Sequence, residues 1–377
     1  MEAPVIAKPA FSLAESRNLV RDLFTPNPWI YWTDFMVSIL IGHGCSALVR
    51  GVFYIPSLPL GAQYVLSGVA FIVSALAYYR AVMFTHELVH LRSGTFTGFR
   101  IAWNLLCGIP FLVPSFTYYT HLDHHRRKHY GTKHDGEYLP WGNRNIWHLV
   151  YYMSQVFIIP ILGIVRFGIL TPLTWLHPKI RNWVHQHASS MIVDPTYVRP
   201  IPTSGDLRII RLQEALCFAW IMGVAFVPPL VLNRWAVAFV LQAYCTALVI
   251  LTINQIRTLG AHRWTNQGEE MTFVDQMLDS VNVGTTSLAT EIWGPIGLRY
   301  HALHHVFPSM PYHTMRTAHD RLVAKLAADS PYHKTCEPSL TSALGVLWNR
   351  SMQVTQGAKP APAVNAKKEM ESESQAA

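Results

Sequence analysis

The sequence is poor in charged residues, which make up only 14% of its 377 positions. An average soluble protein contains about 25%. Half of the residues are hydrophobic. The length alone would allow two soluble domains, but this composition is typical of a protein whose surface faces lipid. The shortage of charge therefore favours an integral membrane protein.

Cysteine is also scarce, with five residues in the whole chain. Cys45, Cys217 and Cys245 lie inside apolar stretches, and no two cysteines form a CxxC pair. The sequence thus indicates neither a disulfide framework nor a zinc knuckle. It also lacks a glycine-rich phosphate loop and a dinucleotide fingerprint. Because no such cofactor site is visible, electrons for a redox reaction would have to come from a separate protein.

The sequence does contain long apolar runs. They lie near residues 35–55, 62–84, 215–232 and 235–256. Each has roughly the length of about 20 residues that a helix needs to cross a hydrocarbon core. Asn233 and Arg234 alone separate the last two runs, as expected for two helices that cross and return. We therefore expect an all-α membrane protein with four transmembrane helices in two hairpins.

Histidine is abundant, with 19 residues. His86 and His90 are four residues apart, which places both side chains on one face of a helix, about one turn apart. Two further groups share the spacing i, i+3, i+4; they are His121, His124 and His125, and His301, His304 and His305. His262 stands alone. So many neutral imidazoles exceed the three or four ligands of one tetrahedral zinc. They suit two metal ions that keep open positions, and iron is the first choice.

The histidines also limit the topology. If the apolar stretch 101–119 crossed the membrane, His121 would lie about 30 Å from His90 and could not share a metal with it. Pro114 fits a broken, non-spanning element. We therefore expect 101–119 and 146–170 to be interfacial or re-entrant helices. The histidine groups then gather in a helical cap on one side of the membrane.

The basic residues indicate which side this is. Of the 30 Lys and Arg residues, all but Arg50, Arg80 and Arg234 lie outside the apolar hairpins, on the side of the histidines. Because basic residues concentrate in cytoplasmic segments, we expect both termini and the metal site in the cytoplasm, at a bacterial inner membrane or the endoplasmic reticulum. The net charge of +8 then reflects contact with anionic membrane lipids. No nucleic-acid module accompanies it, so no nucleic acid is expected as a partner.

The composition changes near the end of the chain. From residue 356 onward it is dominated by Ala, Pro, Lys, Glu and Ser, which bury too little apolar area to form an ordered structure. We therefore expect one membrane domain over residues 1–355 and a disordered tail over 356–377.

Three of the histidine groups resemble the histidine boxes of the membrane fatty acid desaturase and hydroxylase superfamily: HELVH at 86–90, HLDHH at 121–125 and HALHH at 301–305. His262, in RTLGAH after the fourth apolar run, is similar to the extra histidine of that family. The resemblance covers most of the chain. It implies that the nine histidines bind two iron ions and that dioxygen is a co-substrate. It also implies a fatty acyl lipid, acyl-CoA or acyl-carrier substrate, and a separate electron donor of the ferredoxin, rubredoxin or cytochrome b5 type.

The chemistry agrees with this resemblance, because breaking an unactivated C–H bond needs an oxidant that iron can form from dioxygen. Our first interpretation is a lipid desaturase that introduces a double bond. The alternative within the same superfamily is a lipid hydroxylase or related di-iron monooxygenase.

Two other functional classes remain open. The segment from His86 to His90 also satisfies the HExxH pattern of zinc metalloproteases, with Glu87 as general base. An intramembrane protease would leave both HxxHH groups unexplained. A metal transporter would need ionisable residues within its spans, whereas the histidines here cluster beyond them.

Carboxylates often orient metal-binding imidazoles by accepting their second N–H. The candidates near the histidines are Glu87, Asp123 and Glu291, although Glu87 and Asp123 could equally face water at helix ends. Tyr130, Asp135, Glu137 and Tyr138 could position a substrate head group, but they are interpreted as ordinary residues of a polar loop near the membrane surface.

Overall fold

The computed structural model describes residues 11–233 and 235–359. Arg234 and most of the predicted tail, residues 360–377, lie outside the described part. Within it the fold is mostly helical, and the only strands are β1 (Asn282–Val283) and β2 (Cys336–Glu337), which pair in parallel.

The α-helices are, in chain order, α1 (Leu13–Leu19), α2 (Pro28–Gly51), α3 (Leu60–His90), α4 (Thr97–Trp103), α5 (His121–His124), α6 (Trp147–Ser154), α7 (Ile159–Ile164), α8 (Thr171–Leu176), α9 (Pro178–His187), α10 (Ser204–Leu232), α11 (Val237–Leu259), α12 (Phe273–Asp279), α13 (Leu288–Trp293), α14 (His301–Val306), α15 (Tyr312–Lys325) and α16 (Leu340–Thr355). Two π-helical segments, Asn104–Gly108 and Val165–Leu170, interrupt or join them. Short 3-10 turns complete the connections; they are Arg21–Leu23, Val52–Tyr54, Ser115–Tyr118, Trp141–Asn143, Gln155–Phe157 and Pro331–Thr335.

The protein is a membrane protein with helices that are long and apolar enough to cross a bilayer. In the described residues there are five such segments: Pro28–Tyr54, Leu60–His90, Ile159–Leu176, Ser204–Leu232 and Val237–Leu259. Four of them include the predicted apolar runs, apart from one or two terminal residues, and extend beyond them. At 31 residues, α3 is about 46 Å long at 1.5 Å per residue. It therefore carries His86 and His90 past the hydrocarbon core, which is about 30 Å thick.

The two stretches predicted to be interfacial have different structures. Residues 101–119 are broken, as expected: α4 passes into a π-helical segment, the chain turns at Leu112 with φ of 58°, and a 3-10 turn follows. Residues 146–170 are more regular than expected. Their second half joins α7, the π-helical segment Val165–Leu170 and α8 into the apolar helix Ile159–Leu176. The sequence analysis expected an interfacial or re-entrant helix within this stretch, and the observed apolar helix extends beyond it to Leu176.

An aromatic cluster joins α2 and α3 to α15. Tyr31, at the start of α2, packs against Phe96 and Tyr312, with ring centroids 5.1 Å away in both cases. Its hydroxyl donates a 2.5 Å hydrogen bond to the Glu87 carboxyl group near the end of α3. Buried aromatic pairs of this kind contribute both apolar area and directional contact. The cluster therefore fixes the end of α3, and with it His86 and His90, against α15.

A buried ion pair between Arg166 and Glu214 links the helix Ile159–Leu176 to α10. Arg166 also donates 2.9 Å hydrogen bonds to Thr171 Oγ1 and Ser189 Oγ.

Replacing Glu214 by Leu would leave the Arg166 guanidinium buried without its charge partner, so we expect a loss of stability of about 3–5 kcal/mol. Thermal unfolding of the detergent-solubilised protein, followed by circular dichroism, measures this as a lower melting temperature. In the matched control, Arg166→Met with Glu214→Leu, neither charge remains and most of the stability should return. A double variant as unstable as the single one would contradict the assignment.

Candidate metal centre

The structure brings all nine sequence-predicted histidines together in two groups. The five-histidine group is made of His86, His90, His121, His125 and His304. The four-histidine group is made of His124, His262, His301 and His305. In each group the potential ligand atoms all lie within 4.8 Å of one another. The groups are neighbours, since the rings of His125 and His305 stack with centroids 4.4 Å apart.

Helix geometry explains why both HxxHH boxes divide between the groups. Consecutive residues of an α-helix point about 100° apart, whereas residues four apart lie on the same face. His121 and His125 therefore face one group, and His124 faces the other. In α14 the same rule sends His301 and His305 to the four-histidine group and His304 to the five-histidine group. The sequence predicted the nine residues but not this division.

The short segment around Val281 positions the four-histidine group. The Val281 amide donates to the Ala261 carbonyl at 2.9 Å, next to His262 in the chain. The Val281 carbonyl accepts from the His301 amide at 3.1 Å. One extended segment therefore holds the backbone on both sides, so that His262, which follows α11, meets the first turn of α14.

The distances between donor atoms match those expected around a metal ion. In the five-histidine group, His125 Nε2 lies 3.0 Å from the Nε2 atoms of both His121 and His304. In the four-histidine group, His262 Nε2 lies 2.8 Å from His301 Nε2 and 3.2 Å from His124 Nε2. Two nitrogens bound at right angles to one ion, each about 2.1 Å from it, are about 3.0 Å apart. Neighbouring ligands of a single ion would therefore occupy these positions.

The imidazoles are in the state that metal binding requires. Burial, with a smaller effect of neighbouring histidines, lowers the pKa well below the usual range for His121, His125, His262, His301, His304 and His305. They are therefore neutral at pH 7 and offer a lone pair. Within the described residues, neither ring nitrogen of the buried His86 has a hydrogen-bond partner. Because such a group is costly to bury, a bound cation would be favourable here, and the residues fit a metal.

Acidic side chains orient two histidines of the second box. His124 Nδ1 lies 2.8 Å from Asp135 Oδ2, and His121 Nδ1 lies 2.9 Å from Glu137 Oε2. Since a carboxylate only accepts hydrogen bonds, Asp135 places the proton of His124 on Nδ1 and leaves Nε2 free for the metal. Burial lowers the pKa of His124, but the Asp135 carboxylate outweighs it and the net shift is upward. The carboxylate therefore makes this imidazole a stronger base.

His262 is oriented through a tyrosine. Tyr130 donates its hydroxyl hydrogen to Asp279 Oδ2 at 2.7 Å, so its oxygen can only accept from His262 Nδ1, which lies 2.9 Å away. The proton of His262 is thereby fixed on Nδ1. Its Nε2 lone pair then faces His124 and His301, the other members of its group.

The carboxylates that the sequence analysis preferred have other partners. Glu87 accepts from the Tyr31 hydroxyl and the Tyr312 amide. Asp123 pairs with Arg126 and accepts from Tyr197, while the half-exposed Glu291 pairs with Arg299. The residues that contact the histidines, Asp135 and Glu137, were interpreted as ordinary loop residues, and this was wrong. The prediction relied on carboxylates next to the histidines in sequence. Instead, the loop after the second box folds back and places Asp135 and Glu137 against His124 and His121.

The HExxH interpretation does not fit this geometry. The Glu87 carboxyl group is hydrogen bonded to Tyr31 rather than free to act on a metal-bound water. His86 and His90 belong to a group with three further histidines, whereas a protease zinc keeps an open position beside three protein ligands. His129 and His134 lie outside both groups, as expected, and their rings pack on each other.

Comparison with known proteins agrees with the site. The family model "Fatty acid desaturase" matches residues 62–335. A protein from Caulobacter vibrioides (strain NA1000 / CB15N) described as "Ceramide hydroxylase" is 38% identical over 366 residues, which cover 95% of this chain and 100% of that protein. No solved structure matches the chain.

The role of Tyr130 can be tested with a variant of its neighbour as control. We expect Tyr130→Phe to weaken metal binding at the four-histidine group by about tenfold, because His262 Nδ1 loses its shorter hydrogen bond and keeps only the longer one to Ser280 Oγ, at 3.3 Å. Tyr138→Phe removes another hydroxyl that donates to Asp279, at 2.9 Å, but leaves the His262 hydrogen bond intact. Titration of the metal-free protein with Co²⁺, followed by visible absorption, reports the affinity. Equal weakening in both variants would show that Tyr130 acts only through the Asp279 network.

Proposed function

This chain belongs to the fatty acid desaturase family, and on that premise we propose that it hydroxylates the acyl part of a ceramide-type lipid with dioxygen and two iron ions. That it is an oxidoreductase of lipid metabolism follows from the family. The specific reaction is supported by the ceramide hydroxylase relative, whose whole length aligns with this chain. The observation that carries the proposal is the convergence of nine histidines in two adjoining groups.

The nine histidines are the proposed iron ligands, divided as the five-histidine and four-histidine groups. Five imidazoles exceed what a tetrahedral zinc takes, and imidazole is a good ligand for iron, which also binds in higher coordination. Bound iron would supply the oxidising power for an unactivated C–H bond. The protein itself holds the imidazoles neutral, directs their Nε2 atoms inward through Asp135 and the Tyr130–Asp279 pair, and buries the site.

The reaction needs an electron donor. Hydroxylation consumes the lipid C–H bond, one dioxygen, two electrons and two protons, and yields the alcohol and water. We propose a separate donor protein of the ferredoxin, rubredoxin or cytochrome b5 type. Arg127, Lys128 and Lys133 are exposed immediately after the second box, close in sequence to the partly buried His125. An acidic protein that docks on these side chains would reach the metal groups over a short distance.

Desaturation is the second candidate, and the family model supports it. It uses the same dioxygen, electrons and protons, but removes two hydrogens from neighbouring carbons and forms two waters. Both reactions begin by removing one hydrogen from an acyl chain, so the same histidine groups serve either. Whether an oxygen atom is then inserted or a second hydrogen is removed depends on how the acyl chain is held after the first step.

We also propose that only four of the five apolar helices cross the membrane. His124 and His262 meet at 3.2 Å, so they lie on the same side. Three apolar helices separate them in the chain: Ile159–Leu176, α10 and α11. An odd number of crossings would place the two histidines on opposite sides. Therefore α10 and α11 cross as a hairpin, Ile159–Leu176 stays on the histidine side, and α2 and α3 form the first hairpin.

The distribution of basic residues supports a cytoplasmic location of the histidine side. We propose that both termini and the cap lie there, in a bacterial inner membrane or the endoplasmic reticulum.

Cysteine labelling tests this topology. In a variant without the five native cysteines, Tyr54→Cys should react with a membrane-impermeant maleimide in intact bacterial spheroplasts, because it lies between α2 and α3 on the far side. Thr196→Cys, exposed between Ile159–Leu176 and α10, should react only after the membrane is permeabilised. Labelling of Thr196→Cys in intact spheroplasts would mean that Ile159–Leu176 crosses.

Oxygen-isotope labelling tests the reaction. Expression in a host that makes or is given ceramide, under ¹⁸O₂, should yield a lipid with one ¹⁸O atom that is absent from the empty host. A product that has lost two hydrogens and carries no label would support desaturation instead. His124→Ala should abolish either product and lower bound iron, because it removes a proposed ligand, whereas His134→Ala, outside both groups, should retain activity. An active His124→Ala enzyme would contradict the ligand assignment.

A further inference from the structure

A cleft of about 460 Å³ is lined in part by His90, a member of the five-histidine group. The buried and partly buried part of its lining, called the floor here, contains Tyr31, Glu87 and His90. The exposed part of its lining, called the rim here, includes Arg17 and Arg92. A cleft of this size suits a small molecule or a lipid head group rather than a docked protein surface.

The cleft lies where the first hairpin leaves the membrane. α2 begins at Pro28 and α3 ends at His90, and the lining residues come from just before the first helix and just after the second. Trp29 and Trp32 lie at the same end of α2, and Trp29 is highly exposed. Tryptophan is enriched at the level of lipid head groups. The cleft therefore opens at the depth where a membrane lipid presents its head group.

The charges of the cleft favour an anion at its rim. Arg17 and Arg92 are both exposed, and neither guanidinium forms an ion pair or hydrogen bond with any residue in the described ranges. The Arg17 guanidinium lies 5.3 Å over the ring of Phe24, another lining residue. Glu87 lies on the floor of the cleft, and its carboxyl group provides no positive charge to an anionic ligand. An anion is thus attracted to the rim and not to the floor.

We propose that this cleft binds a phosphate-bearing head group of the substrate, with Arg17 and Arg92 as its cationic partners. The guanidinium group presents several N–H donors in a planar arrangement that matches phosphate oxygens. Head-group binding at the rim leaves the apolar part of the substrate to pass the aromatic walls toward His90. The inference rests on the proposed function, because it takes the ligand of the cleft to be the lipid that is oxidised. The phosphate could belong to a phosphorylated lipid or to coenzyme A.

Direct binding measurements separate these sources. The probes are ceramide 1-phosphate, unphosphorylated ceramide and an acyl-CoA with matched acyl chains, and the full-length iron-loaded protein is held in nanodiscs of zwitterionic lipid. We expect the wild type to bind one of the phosphate-bearing probes at least about tenfold more tightly than ceramide. Arg17→Ala with Arg92→Ala should remove this preference and leave ceramide binding unchanged. The preferred probe identifies the phosphate source.

The control is Arg316→Ala, which removes an exposed arginine of α15 that does not line the cleft and should retain the preference. Equal affinity of the wild type for all three probes, or a preference that survives the double variant, overturns the proposal. Because binding is measured without turnover, the proposed head-group site and the proposed function are tested independently. Arginine-dependent binding without an oxidised product would contradict only the function. Oxidation of the preferred phosphate-bearing probe with KM unchanged in the double variant would contradict only the cleft.

Discussion

The structure depends on one constraint: imidazoles from four distant parts of the chain must meet at one surface of the membrane. Since His86 and His90 sit at the end of a transmembrane helix, every other histidine must return to that side. This requires an even number of crossings between any two histidine groups. In the proposed topology, the broken segment between α4 and α5 and a hairpin of α10 and α11 both satisfy it. The membrane topology and the metal site therefore depend on each other, and a change in the number of crossings would separate the histidines.

Electrostatics imposes the next requirement. Nine neutral imidazoles, if they bind two ions as proposed, would leave the positive charge uncompensated within a buried site, which is unfavourable unless acidic groups lie nearby. Asp135 and Asp279 are both almost fully buried. Asp135 contacts His124 directly, whereas Asp279 accepts hydrogen bonds from Tyr130, Tyr138 and Thr265 and lies 3.9 Å from His262 Nδ1. Both carboxyl groups therefore lie on the Nδ1 side of a proposed ligand, away from the Nε2 atoms that would face the metal.

How well each feature could be predicted depends on how far apart in the sequence the residues that determine it lie. Most of the proposed ligands could be selected from the sequence because residues spaced by three and four share a helix face, which is a local rule. Helix geometry also lets each box face two groups, but which other histidines complete each group depends on where the neighbouring helices lie. Asp135 and Glu137 were missed for a similar reason, because a loop has no periodicity that reveals its contacts. The stretch 146–170 was predicted to be helical, but the buried ion pair of Arg166 with Glu214 was not, because nothing local in the sequence places these two residues together.

The size of the cleft bears on the position of attack. A cavity of about 460 Å³ is too small to enclose a whole lipid, so only the head group and the first carbons can lie in it. If a head group binds at the rim as proposed, the carbons closest to it would be the ones nearest His90. An acyl chain attacked in its middle would instead have to extend well beyond this space. The proposed head-group site therefore predicts oxidation near the polar end of the lipid, whether the product is an alcohol or an alkene.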